Sequence, residues 1–122
     1  MCKILLSIKP EHTENIFNGN KLFEFRTICC REKVDKIIIY ATSPVKQVVG
    51  EAQVLEIIKD SPEKVWKMTS KHAGITKMFY DLYSQDKDKA VAYHLGNIKR
   101  YQKPLRLLDF GISFAPQSFV YV

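Results

Sequence analysis

With 122 residues, 46% of them hydrophobic and 26% charged, the chain has the size and composition of one ordinary globular domain with a real hydrophobic core. No apolar run is long enough to span a bilayer, and the apolar stretch ahead of Pro10 and Glu11 is too short for a signal peptide, so no membrane contact and a cytoplasmic location are expected. The net charge of +6 and a pI near 9.2 favour an anionic partner, with nucleic acid first.

In chain order, "KILLSIK" (3–9) reads as a strand. Pro10 then suits a first helical position, and "PEHTENIFN" reads as a short helix with acids in its early turns and Ile16 and Phe17 towards the core. Asn18-Gly19 supplies the left-handed residue that ends it, and "KLFEFRT" follows as a second strand. "KIIIYAT" (36–42) is short, apolar and β-branched, the pattern of a buried strand. After a Ser43-Pro44 turn, "QVVGEAQVLEII" (47–58) makes a long strand in which Gly50 marks a bulge or a close backbone approach. Ser61-Pro62-Glu63 looks like a helix start leading into "EKVWKMTSKHA", Gly74 breaks that helix, and "TKMFYDLYSQ" makes another. "KAVAYHLGNIKRY" (89–101), "LRLLDFG" (105–111) and the terminal "SFVYV" return to strand character. The helices interrupt the strands without alternating with them, which disfavours parallel βαβ winding. The expectation is a mostly β, α+β fold: a small antiparallel barrel with a short helix after strand 1 and a helical insertion near 62–85. No repeat or linker divides the chain, so residues 1–122 read as a single domain. Nothing in the sequence sets the oligomeric state.

The cysteine pattern suits neither a disulfide framework nor a zinc site. Cys2, Cys29 and Cys30 are odd in number, and His12, His72 and His94 lie at no ligand spacing from them. No metal and no cofactor is expected. A reactive Cys29 or Cys30 beside a histidine stays open, although most free cysteines are small buried apolar groups. "KRYQK" interleaves Lys99, Arg100 and Lys103 with Tyr101; phosphate contacts plus a stacking ring suit single-stranded RNA, and a charged hairpin end fits equally well.

The second strand raises the sharper question. Alternation places Leu22, Glu24 and Arg26 on one face and Lys21, Phe23 and Phe25 on the other, so the phenylalanines point to the core and Glu24 can pair with Arg26. Lys21 has the wrong parity, yet it stands just after the turn, where its long stem can swing towards Glu24. From pattern alone, a solvated ion pair worth about 0–1 kcal/mol explains these residues as well as a site does.

Gly19-x-Lys21-x-x-Glu24-x-Arg26 resembles the G-x-K-x-x-E-x-R signature of the ASCH domain family, within the PUA-like barrel superfamily. "LLSIKPEHTENIFNGN" is similar to the family opening, "IIIYATSPVKQVVGEAQV" to its next block, and "APQSFVYV" to the tail of many short members. The resemblance covers most of the chain and is weakest over 62–85. It implies a five- or six-stranded barrel with a cleft into which Lys21, Glu24 and Arg26 project, and an RNA or nucleotide-like ligand. One branch of the family removes the acetyl group of 4-acetylcytidine with the motif lysine, a threonine nucleophile and a distant glutamate. Glu24 stands at the threonine position here, so that nucleophile is missing. Another branch has been assigned ribonuclease activity.

Two mechanisms suit the trio. As a binding pocket, Arg26 offers a planar fork, Lys21 a point charge for phosphate, and Glu24 an acceptor for an exocyclic amine. As a metal-independent hydrolase acting on RNA or an acylated nucleoside, Glu24 is the general base, and Lys21 and Arg26 stabilise developing negative charge. Ser43 at a strand end, Lys9 beside the helix start, Gln117 and Ser118 in the tail, and Lys99 and Arg100 are further candidates for ligand or RNA contact. Tyr93 and His94 read as structural. Trp66, Met68, Met78, Phe79 and Tyr83 read as packing of the helical pair.

Overall fold

The run of isoleucines before Tyr40 is buried because its strand lies inside a sheet. In the computed structural model, which describes residues 2–26 and 33–122, β3 (Lys36–Ala41) runs between β1 (Lys3–Ile8), parallel to it, and β4 (Gln47–Asp60), antiparallel to it. Period-two patterning cannot mark such a strand, since both faces are apolar. β5 (Ala90–Leu105) pairs antiparallel with β4 and with β2 (Phe23–Arg26), while β6 (Phe119–Tyr121) pairs antiparallel with β1. The order β2-β5-β4-β3-β1-β6 forms a six-stranded, curled half-barrel, and the architecture is α+β and PUA-like.

β4 and β5 are long and bend through register shifts, including one around Gly50. A Cβ there would overlap the Lys99 carbonyl oxygen and stand 2.6 Å from the Phe17 ring, so the glycine is needed for the close approach of α1 (Pro10–Phe17) to the sheet. α1 buries Ile16 in a cluster with Ile4, Leu6, Ile37, Ile39, Tyr93 and Leu95, and Phe17 packs against its rim. Gly19, with φ of +86°, makes the expected turn out of the helix.

The insertion contains α2 (Pro62–Thr69), a 3₁₀ turn over Ser70–His72, and α3 (Lys77–Tyr83). Val65 and Tyr80 carry it onto a second apolar cluster with Phe23, Phe25, Ile58 and Ala92. Trp66 lies 4.8 Å from Tyr80, centroid to centroid, and so packs the helices as expected. Met68 and Met78 do not: both are exposed.

Two boundaries differ from the sequence reading. "LRLLDFG" is not a strand. β5 runs on to Leu105, and Leu107–Phe110 form a 3₁₀ turn closed by Gly111 at φ +75°. Leu107, Phe110 and Ile112 drop onto a third cluster with Leu5, Tyr40 and Val48, so their apolar spacing reflects a turn lying on the core. β2 begins at Phe23, which leaves Lys21 in the preceding turn. Thr27, Cys29 and Cys30 lie outside the described residues.

Candidate functional site

Lys21 is freed from strand alternation by its place in the turn, and its side chain goes inward. It is 1% exposed; its ammonium donates to the Ala73 carbonyl at 2.9 Å, stands 3.7 Å from Glu24 Oε1 and lies 4.9 Å from the Phe25 ring centroid. Burial lowers its pKa, and the carboxylate of Glu24 opposes that shift. Gly74, at φ +71°, makes room: a Cβ there would meet Lys21 Cβ at 2.5 Å. The helical insertion and the motif strand therefore also meet on this side chain, and the Leu22 N–H adds a bond to the His72 carbonyl at 2.9 Å.

Glu24 is 7% exposed and takes Arg26 on its other oxygen, with Nη2 donating to Oε2 at 2.9 Å. The same nitrogen donates to the Ser7 carbonyl, also at 2.9 Å. β2 is an edge of the sheet and β1 lies one strand from the other edge, so the guanidinium ties the two sides of the half-barrel together. Ser7 holds the tail as well. Its hydroxyl donates to the Pro116 carbonyl at 2.7 Å, and its N–H donates to the Ser118 carbonyl at 3.1 Å. The solvated ion pair that the sequence also allowed is absent; the trio is desolvated and linked.

Above the trio lies a cleft of about 540 Å³. Lys9, Ser43 and Gln117 line it with Lys21, Glu24 and Arg26. Lys99, Arg100 and Ser118 do not line it. Arg100 forms a two-pronged pair with Glu14 at 3.0 and 2.7 Å and covers the Phe17 ring, 4.4 Å from the centroid. Tyr101 donates to Glu51 at 2.9 Å, which turns the ring of "KRYQK" into part of a Lys36–Glu51 network. Tyr93 is fully buried, and His94 stacks on Phe23 at 4.7 Å, both structural as expected.

Sequence reasoning passed over His12, Tyr40, Lys46, Phe79 and Tyr83, all of which line the cleft. Phe79 and Tyr83 were expected to pack the helices. They stand on the side of α3 that faces the cleft, and both remain partly exposed. His12 falls in the first turn of α1 and meets Phe79 edge-on at 5.9 Å. Burial, with the charge of Lys21 second, lowers its pKa, so the imidazole is neutral at pH 7. Among the described residues, His12 Nδ1 and Arg26 Nε are buried without a hydrogen-bond partner, and both belong to the cleft. The lining holds Lys9, Lys21, Arg26 and Lys46 against the single carboxylate of Glu24, a surplus that suits an anionic guest. Among the described residues, no group of three His, Cys, Asp or Glu side chains is placed to hold a metal ion. No helix among them is long and apolar enough to cross a membrane.

Residues 3–115 match a family described as Domain of unknown function (DUF365), which is of ASCH type. Over 106 residues, 86% of this chain and 69% of the other, the sequence is 32% identical to an ASCH domain-containing ribonuclease of Zymomonas mobilis. The chain belongs to the ASCH family. The crystal structure of ASCH from Zymomonas mobilis superposes on this ASCH domain with a TM-score of 0.88 at 27% identity, covering 98% of this chain and 87% of that one. The ASCH domain is also 30% identical over 120 residues to a large ribosomal subunit protein uL22 of Ureaplasma parvum, of whose length it spans 39%.

Proposed function

We propose that the cleft binds one nucleotide of an RNA chain, with the base lowered onto Lys21, Glu24 and Arg26 and the flanking phosphates met by Lys9 and Lys46. The buried Glu24, held between two cations at the floor of an aromatic-walled cleft, is the observation that carries this reading. A carboxylate with two oxygens has about four acceptor positions, so it takes an exocyclic amine without releasing Arg26. The free prongs of Arg26 donate to the base's ring or carbonyl acceptors. Phe79 and Tyr83 supply apolar surface for the ring face.

RNA binding is tested by fluorescence anisotropy of a labelled single-stranded RNA at two salt concentrations. Affinity falls as salt rises, because Lys9 and Lys46 displace counterions. Arg26→Lys keeps the charge but loses the fork, and it should weaken binding at both salts. Equal affinity for RNA in wild type and Arg26→Lys refutes the placement of the base.

A second reading, hydrolysis of RNA, is favoured by the name of the Zymomonas relative and by a neutral His12 in the cleft wall. Here Glu24, or His12 in its place, removes the proton of a ribose 2′-hydroxyl, whose oxygen attacks phosphorus as the bond to the 5′-oxygen breaks, and the departing 5′-oxygen takes up a proton from the protonated base or from water. Lys21 and Arg26 offset the charge gathering on the phosphate oxygens. Mass spectrometry of RNA products from wild type, Glu24→Gln and His12→Gln tests it. Fragments ending in a cyclic phosphate, lost in one variant, support this chemistry and identify the base; an intact pool refutes it.

A further inference from the structure

We infer that Phe114 is a stacking platform for the nucleobase next to the one in the cleft, so that the domain takes a single-stranded RNA segment in preference to a lone nucleotide. This rests on the reading of the cleft given above. Phe114 is 79% exposed, more than any other large apolar side chain among the described residues. Its neighbours in the same segment behave otherwise: Phe110 and Ile112 pack onto the cluster around Leu5, Tyr40 and Val48. The ring of Phe114 is turned out while the chain beneath it is held in.

Its position matters more than its exposure. The next three residues, Ala115, Pro116 and Gln117, line the cleft. Ser7 fixes that ledge on both sides of Gln117, through the Pro116 carbonyl at 2.7 Å and the Ser118 carbonyl at 3.1 Å. The same Ser7 carbonyl receives Arg26. Phe114 is thus one residue from the cleft wall, on a ledge registered to the guanidinium that reads the base. A strand whose base enters the cleft must carry its neighbour out over the rim. Phe114, one residue outside the lining, offers that neighbour an exposed aromatic face, and every base offers a π-face in return. Lys9 and Lys46 in the lining suit the phosphates between the two bases. A base held in a duplex has no free face for the ring, so paired RNA is excluded from this contact.

Isothermal titration with the four nucleoside 5′-monophosphates and with a mixed-sequence RNA hexamer tests the inference. The quantity read is the ratio of the best monophosphate Kd to the hexamer Kd. In wild type, stacking on Phe114 raises this ratio, and Phe114→Ala lowers it by about 5- to 150-fold, the equivalent of one stacked base. Phe114→Tyr keeps the ring and keeps the ratio. A ratio unchanged in Phe114→Ala overturns the platform even where both probes bind. Wild-type protein that binds neither probe, or binds them as well when Arg26 is replaced by lysine, overturns the cleft reading itself. The two failures are separate results.

Discussion

Replacing Glu24 by glutamine tests the electrostatic design of the site most directly. The substitution keeps the shape and an acceptor for Arg26, but leaves the ammonium of Lys21, 1% exposed, without its counter-charge 3.7 Å away. With an effective dielectric constant of about 20, the gross attraction at that distance is roughly 4.5 kcal/mol. Removing one partner of a buried pair costs about 3–5 kcal/mol, and the retained bond to Arg26 places this case near the low end, at about 3 kcal/mol. Part of the loss should depend on pH. Lys21 already has a lowered pKa from burial, opposed by Glu24; without the carboxylate it falls further. The folded state then binds fewer protons than the unfolded state between that lowered pKa and the ordinary lysine value. Stability therefore rises with pH across this window, more steeply in the variant than in wild type. Urea unfolding at pH 7 and near pH 9.5 reads both effects. At about 2 kcal/mol per molar of urea, the midpoint drops by roughly 1.5 M at neutral pH and partly recovers at the higher pH. An unchanged midpoint at neutral pH, or an equal loss at both, refutes the reasoning.

Four further outcomes are expected. Gly74→Ala combines a left-handed backbone with a Cβ 2.5 Å from the Lys21 stem, costing about 2–4 kcal/mol, and its melting temperature should fall by about 10 °C; a melt matching wild type contradicts the packing. Tyr80→Phe loses the bond to the Pro62 carbonyl at 2.7 Å and about 1–2 kcal/mol with it. Burial, with Asp81 second, pushes the Tyr80 pKa up to about 12, so its contribution is complete below about pH 10 and lost as pH rises through 12; unfolding curves of Tyr80→Phe should lack that alkaline decline. Lys9→Ala and Lys46→Ala should each weaken RNA binding and flatten the plot of log affinity against log salt by about 0.7, measured by anisotropy. Arg100→Ala should cost less than about 1 kcal/mol in urea unfolding and affect RNA affinity less than either lysine does, because its guanidinium is spent on an exposed pair with Glu14.

The sequence exposed the site unevenly, and the reasons are physical. Glu24 and Arg26 share a strand face, so period-two spacing was enough to pair them. Lys21 violates that spacing, and only its position after a glycine turn suggested the swing towards Glu24. What receives it, the Ala73 carbonyl over Gly74, comes from a distant insertion that no local pattern links to the motif. The same limit hid Phe79 and Tyr83, since an aromatic at helical spacing reads alike whether it faces a core or a cleft. His12 carried no signal in its own helix; its neutrality follows from walls contributed by other elements. "LRLLDFG" misled because apolar residues lying down on a core from a 3₁₀ turn mimic a strand's composition. The parallel pairing of β1 with β3 was equally illegible, because no local pattern in either strand records its partner or its direction.

The sheet order also sets a schedule for synthesis. Phe23 in β2 pairs with His94 in β5, roughly 70 residues later, and β6 docks beside β1 only after residues 119–121 exist. A ribosome-bound chain therefore displays Lys21, Glu24 and Arg26 well before the strand that houses them finds its partner or Ser7 has a tail to hold. The walls of the cleft are therefore complete only once β5 and the tail segment have both been made.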